Sequence, residues 1–70
     1  MAESVYKVIQ LVGTSDVSWE QAAAAAVSKA SSSLRDLRVA EVAELDVVVG
    51  EDGSVSAYRA KLNVSFKYED

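Results

Sequence analysis

The 70-residue chain is large enough for a single domain, residues 1–70, and it carries a formal net charge of −4. It contains no cysteine and no histidine, which excludes disulfides, thiolate metal sites and the most common general base. The acidic balance argues against nucleic-acid binding, and no segment resembles a signal peptide or a membrane span, so we expect a cytoplasmic protein.

The first predicted element is a strand over residues 5–12, VYKVIQLV, where β-branched and aromatic residues are concentrated. Residues 13–16, GTSD, are typical of a turn. Ser18 is a candidate N-cap with Gln21 three residues later, and this pair predicts the start of a helix.

The predicted helix continues to about Leu37 or Arg38, because neither glycine nor proline interrupts the segment. Its apolar side chains recur at spacings of three and four residues and form one stripe. The stripe comprises Trp19, Ala22, Ala23, Ala26, Val27, Ala30, Leu34 and Leu37. Its many small residues would allow the helix to lie close to a sheet or to another chain.

Residues 38–49, RVAEVAELDVVV, predict a second strand in which apolar residues and carboxylates occur on both faces. Under strict alternation, Glu41 points to one face, whereas Glu44 and Asp46 point to the other. One helix covers only one face of a small sheet. The second face therefore requires another partner.

A hairpin turn is indicated at residues 51–53, where Gly53 would supply the positive φ that the turn needs. The third predicted strand, residues 55–67, has the clearest alternation in the chain. One face comprises Tyr58, Ala60, Leu62, Val64 and Phe66. The other comprises Ala57, Arg59, Lys61, Asn63, Ser65 and Lys67.

The order β-α-β-β predicts an α+β fold in which a three-stranded antiparallel sheet packs on one helix. The third strand then lies between the first two, which gives the order 1-3-2. Strands of about twelve residues span roughly 40 Å, whereas the predicted helix spans about 26–30 Å. Because the sheet extends beyond its helix, we expect the chain to assemble with copies of itself.

Three acidic residues of the second strand, Glu41, Glu44 and Asp46, are the candidate metal ligands, since Ca²⁺ prefers oxygen ligands. The alternative is that they pair with basic residues across the hairpin or between copies. These basic residues are Arg38, Arg59 and Lys61. Residues 50–54, GEDGS, lack the spacing of a calcium loop and predict a simple turn.

The third strand carries a basic stripe of Arg59, Lys61 and Lys67, which faces either a phosphate-bearing ligand or the carboxylates just described. Trp19, the only tryptophan, is either a platform for a ligand or a hydrophobic plug at the helix start. No nucleophile is grouped with a base, so we do not expect an enzyme.

Three segments, VYKVIQLVGTS, LRVAEV and YRAKLNVSFKYE, lie around the capped alanine-rich helix and resemble the dodecin family. The resemblance covers nearly the whole chain, from about Val5 to Glu69. It implies the same β-α-β-β fold, assembled as a hollow homododecamer. It also implies a storage role, without catalysis, for flavins such as FMN or riboflavin, bound as stacked pairs.

Two residues depart from the flavin-binding pattern that the resemblance implies. Val39 stands where a tryptophan stacks on the flavin ring, and Arg59 stands where a glutamine bonds the ring edge. Valine has no aromatic face, and a guanidinium donates hydrogen bonds but accepts none. We therefore expect stacked flavin binding to be weakened or lost.

The segments SWEQAAA, RVAEV and YRAKLNVSFK are similar to the calcium dodecins, a subgroup without the flavin-stacking tryptophan. This similarity implies Ca²⁺ or another cation as the alternative to a flavin, with a purely structural shell as the other alternative. The expected partners are copies of the chain itself and a small molecule or cation. Neither a nucleic acid nor a membrane is expected.

Overall fold

A computed structural model describes residues 3–68, which form β1 (Tyr6–Ser15), α1 (Trp19–Ser31), β2 (Leu37–Val49) and β3 (Val55–Lys67). The strands make one sheet in the order β1-β3-β2, and both neighbouring pairs are antiparallel. The predicted element order, the 1-3-2 arrangement and the bounds of β3 are confirmed. Within the described residues, no helix is long and apolar enough to cross a membrane.

Strand β1 continues to Ser15. The prediction of a turn over residues 13–16 is therefore wrong for residues 13–15, which belong to the strand. Gly13 pairs with Ala60 inside the sheet, and a Cβ atom on Gly13 would collide with the carbonyl oxygen of Ala22. The glycine is thus required because the helix backbone lies directly against β1 at this point.

The helix begins as predicted. The hydroxyl of Ser18 accepts a hydrogen bond from the backbone N–H of Gln21 at 3.0 Å, and the extended backbone of Ser18 is that of an N-cap. Glu20 in the first turn is favourably placed against the positive end of the helix dipole.

The end of the helix differs from the prediction, because α1 stops at Ser31 and not near Leu37 or Arg38. The hydroxyl of Ser32 donates to the backbone carbonyl of Lys29 at 2.7 Å. This local hydrogen bond competes with the backbone hydrogen bonds that would continue the helix. The last residues of the predicted stripe therefore lie outside the helix, and Leu37 opens β2.

The core lies between α1 and the central strand β3. Small helix residues pack against larger strand residues, and Ala22 and Ala60 are completely buried. The core cluster comprises Ala22, Ala26, Ala60, Leu62 and Val64. It is bordered by partly buried Ile9, Leu11, Ala23, Val27 and Leu37.

The helix covers only part of the sheet. Its 13 residues span about 20 Å, whereas the molecule is 55 Å long. Large apolar side chains consequently remain exposed within the described residues, among them Val8, Val12, Val39, Val42, Leu45 and Val49. The predicted overhang of the sheet is confirmed, and it is larger than expected because the helix is shorter.

The β2–β3 hairpin closes in the predicted turn. Gly53 adopts a φ of 84°, and its N–H donates to the carbonyl of Gly50 at 3.0 Å. The carboxylate of Asp52 accepts both the hydroxyl and the N–H of Ser54, and these bonds lower the pKa of Asp52. Residues 50–54 thus form a turn, as the sequence indicated.

Candidate functional site

Strand β2 does not alternate strictly, because Ala43 is an extra residue without a partner on β3. Val42 pairs with Leu62, and Glu44 pairs with the next residue, Lys61. The prediction that Glu41 faces away from Glu44 and Asp46 is therefore wrong. This bulge turns the three carboxylates to one face of the sheet, opposite the helix, which we call the outer face.

The outer face carries three rows of polar side chains that run across the strands. In the first row the amide of Gln10 donates to the Asn63 side chain at 3.2 Å, and Asn63 donates to Glu41 at 3.1 Å. In the second row, Lys61 lies 2.8 Å from Glu44. Each carboxylate of β2 therefore faces a donor on β3.

The third row contains the closest pair. The guanidinium of Arg59 donates through Nε and Nη2 to the two carboxylate oxygens of Asp46, at 2.6 and 2.8 Å. These hydrogen bonds lower the pKa of Asp46 and raise the pKa of Arg59. Both groups are thus held in their charged forms.

The acidic residues of β2 can be interpreted either as metal ligands or as ion-pair partners of basic residues, and the structure of one chain distinguishes between these two. Arg59 and Lys61 pair with carboxylates, whereas Lys67 forms no ion pair within residues 3–68. Arg38 lies 3.8 Å from Asp36 and not beside the three acids. Among the described residues of one chain, no three potential ligands converge on a metal-sized position.

Val39 and Arg59, the two positions implied for a flavin, lie far apart in one chain. Val39 pairs with Ser65, whose hydroxyl donates to the Val39 carbonyl at 3.3 Å. Ser65 lies six positions after Arg59 in β3, a distance of about 20 Å along the strand. A compact pocket that uses both positions therefore requires more than one copy of the chain.

Trp19 lies at the helix start, on the opposite face of the sheet from the ion pairs. Its ring meets Tyr58 edge-on, with centroids 5.1 Å apart, and its Nε1 donates to the Asp46 carbonyl at 3.0 Å. These contacts make it a plug between α1 and the hairpin. An apolar groove of about 380 Å³ beside it is lined by Trp19, Glu20, Ala23, Val42 and Leu45.

Sequence reasoning missed the roles of Gln10 and Asn63, which extend the first polar row over all three strands. Alternation placed Asn63 on the same face as Arg59 and Lys61. Its partners became identifiable only once the register and the bulge at Ala43 were known.

Comparison with known proteins gives a consistent result. The family model described as Dodecin matches residues 5–69. The chain is 58% identical over 64 residues to the calcium dodecin of Mycobacterium tuberculosis, covering 91% of this chain and 89% of that protein. It is 42% identical over 66 residues to the dodecin of Thermus thermophilus, covering 94% of each.

Solved structures agree with the sequence comparison. The dodecin of Streptomyces coelicolor superimposes with a TM-score of 0.91 at 36% identity, covering 100% of this chain and 99% of that one. The calcium dodecin of M. tuberculosis, described as calcium-chelating with a novel calcium-binding site, gives a TM-score of 0.83 at 56% identity. That match covers 94% of this chain and 93% of the other.

Proposed function

Since the chain belongs to the dodecin family, a family of small-ligand-binding homo-oligomers, we propose that it is a non-catalytic binding or storage protein. The proposed assembly is a hollow homododecamer, with ligand pockets built from several copies. The ligand is a small molecule or a cation, and the stacked flavin mode is weakened or lost.

Self-assembly is supported by the apolar surface that one chain leaves uncovered. Val42 and Leu45 are about half exposed, at 49% and 51%, beside the groove at Trp19. On the outer face, Val39 remains 61% exposed. Contiguous apolar patches of this kind typically mark contacts with another chain, and a second copy is the partner that the family supplies.

The two positions implied for a flavin carry side chains that do not suit stacked binding. Val39 has no aromatic ring, so a bound flavin would lack the stacking energy of roughly 0.5–1.5 kcal/mol that an aromatic pair contributes beyond burial. Arg59 is engaged by Asp46 through both of its hydrogen bonds. Val39 therefore cannot stack on a flavin ring, and Arg59, which has no acceptor atom and is held by Asp46, does not reproduce the glutamine contact that the resemblance implies.

Titration of riboflavin into the assembled protein tests this proposal. We expect flavin fluorescence to remain unquenched at micromolar protein, and we expect Val39→Trp to introduce quenching. Val8→Trp is the matched control, because Val8 lies in the same row on β1, next to Ser65. Micromolar quenching by the wild type would overturn the claim that stacking is lost.

Calcium is the second candidate ligand, because three carboxylates lie on the outer face of the sheet. The bulge at Ala43 places Glu41, Glu44 and Asp46 in adjacent rows, and the similar M. tuberculosis protein is described as calcium-chelating. Ca²⁺ requires about six to eight oxygen ligands. A site on these carboxylates would therefore be completed by another copy of the chain, at the expense of the ion pairs with Lys61 and Arg59.

A further inference from the structure

The turn between β2 and β3 contains a chemically labile pair of residues. Asp52 is followed by Gly53, the single aspartate–glycine step in the sequence. The other internal aspartates, Asp16, Asp36 and Asp46, are followed by valine or leucine. A branched side chain after an aspartate hinders attack of the next backbone nitrogen on the carboxyl group, whereas glycine has no side chain to do so. Asp52 and Gly53 are also exposed to solvent.

Isomerisation of such a pair passes through a ring and leaves the mass of the chain unchanged. The backbone nitrogen of Gly53 forms a bond to Cγ of Asp52 and loses its proton, while the carboxyl OH leaves as water. A water molecule then opens the resulting succinimide at one of its carbonyl carbons. Opening at the backbone carbonyl gives isoaspartate, in which the main chain runs through the former side-chain carboxyl and is longer by one methylene group.

The nitrogen that would attack is held by the turn. The N–H of Gly53 donates to the carbonyl of Gly50 at 3.0 Å, and the N–H of Gly50 donates to the carbonyl of Ser54 at 2.8 Å. Attack on the Asp52 carboxyl requires the Gly53 nitrogen to give up its proton and therefore its hydrogen bond. The turn must open before the ring can form.

The carboxyl group that would be attacked is held by Ser54. Oδ1 of Asp52 accepts the backbone N–H of Ser54 at 3.0 Å and the Ser54 hydroxyl at 2.8 Å. These hydrogen bonds, that of the hydroxyl above all, lower the pKa of Asp52 and keep the group ionised. A carboxylate is a poor electrophile, because only the protonated carboxyl can release its oxygen as water. Ser54 thus orients the carboxyl group and keeps it in its unreactive form.

From these contacts we propose that Asp52–Gly53 is a site of spontaneous isomerisation and that the Ser54 hydroxyl protects it. The isoaspartate product does not fit the present turn, because its carboxylate is attached directly to Cα and its main chain is longer. The hydrogen bonds from Ser54 to Oδ1 are then lost, in the turn that joins the two strands bearing the outer-face ion pairs. This role concerns the chemical durability of the protein and does not depend on its ligand.

Prolonged incubation of the assembled protein below its Tm tests this proposal. Isoaspartate is quantified by enzymatic methyl transfer from S-adenosylmethionine to its α-carboxylate, and it is assigned to Asp52 by fragmentation of the peptide that contains this residue. We expect Ser54→Ala to accumulate isoaspartate about fivefold faster than the wild type, the equivalent of about 1 kcal/mol for the lost hydrogen bond.

Ser56→Ala is the matched control, because the Ser56 hydroxyl donates to the Val48 carbonyl at 3.2 Å in the same hairpin and not to Asp52. We expect this variant to accumulate isoaspartate at the wild-type rate. In guanidinium chloride, where the turn is unfolded, Ser54→Ala and the wild type should react equally fast, and both should react faster than the folded wild type.

Three results would overturn the proposal. The first is a folded Ser54→Ala variant that reacts no faster than the wild type. The second is equal acceleration by Ser56→Ala, because general loosening of the hairpin would then be the cause. The third is a difference between Ser54→Ala and the wild type that persists in guanidinium chloride, because the effect would then not come from the folded turn.

Discussion

Arg59 holds the carboxylate of Asp46 through two hydrogen bonds, at 2.6 and 2.8 Å, and so ties the central strand β3 to the edge strand β2. The planar guanidinium matches both carboxylate oxygens, a geometry that a lysine cannot reproduce. The negative charge of Asp46 offsets the positive charge that Arg59 would otherwise present to an anionic ligand. It also places a defined charge pair beside the bulge on which the whole outer face depends.

The first prediction concerns the pH dependence of stability. The pKa of Asp46 lies below the ordinary aspartate value of 3.8, chiefly because of the hydrogen bonds from Arg59. A carboxyl with a lowered folded pKa stabilises the fold above its unfolded pKa, and this contribution is lost as the pH falls through the folded pKa. Asp46→Asn should therefore flatten part of the fall in Tm below about pH 4.

A mutant cycle shows whether the ion pair is responsible. Arg59→Gln should flatten the same part of the Tm profile, and the double variant should change it no further. The dependence that remains should include Asp52, whose pKa is lowered by Ser54. Profiles of Asp46→Asn and wild type that run parallel throughout would contradict this account.

The second prediction concerns the close contact between β1 and the helix. Gly13→Ala would direct a methyl group into the Ala22 carbonyl and against the Ala26 side chain, so we expect a loss of about 3 kcal/mol in unfolding free energy. Gly53→Ala is the comparison, since its φ of 84° costs about 1 kcal/mol but its Cβ meets open space. Urea denaturation followed by circular dichroism measures both, and a smaller loss for Gly13→Ala would refute the packing argument.

The third prediction concerns the bulge. Deletion of Ala43 removes the residue without a partner, so Val42 and Glu44 become consecutive and still pair with Leu62 and Lys61, and Glu41 stays on the outer face beside Asn63. We expect this deletion variant to fold. Ala43→Ser keeps the residue count and should retain the wild-type Tm, because the Ala43 side chain is exposed. A deletion variant that does not fold would contradict this account of the register.

The fourth prediction concerns calcium. If the outer-face carboxylates bind Ca²⁺ in the assembled protein, millimolar Ca²⁺ should raise the Tm more than Mg²⁺ does, since Mg²⁺ tolerates irregular oxygen sites poorly. Glu44→Gln should reduce this shift, and Glu20→Gln, on the helix, should not. Equal effects of the two ions, or no effect of either, would count against the calcium candidate.

Strand β3 and its turn are predictable because their signals are local. The strand alternates without interruption over residues 55–67, and Gly53 marks the turn that precedes it. Antiparallel pairing then requires the order 1-3-2. The family resemblance rests on the same segments, so the fold follows from the sequence almost completely.

The predictions fail where the spacing of apolar residues alone does not determine the backbone. Leu34 and Leu37 continue the helical spacing, yet α1 ends at Ser31, where Ser32 bonds back to Lys29. The bulge at Ala43 has no recognisable residue pattern, so the face of Glu41 could not be assigned.

Native mass spectrometry of the purified protein tests the central claim most directly, because one spectrum reports both the assembly and any retained ligand. We predict a mass of twelve copies of the 7.5 kDa chain, without the added mass of bound flavin pairs. A 7.5 kDa monomer would contradict the proposed shell, and a twelve-copy species loaded with flavin would contradict the loss of stacking at Val39.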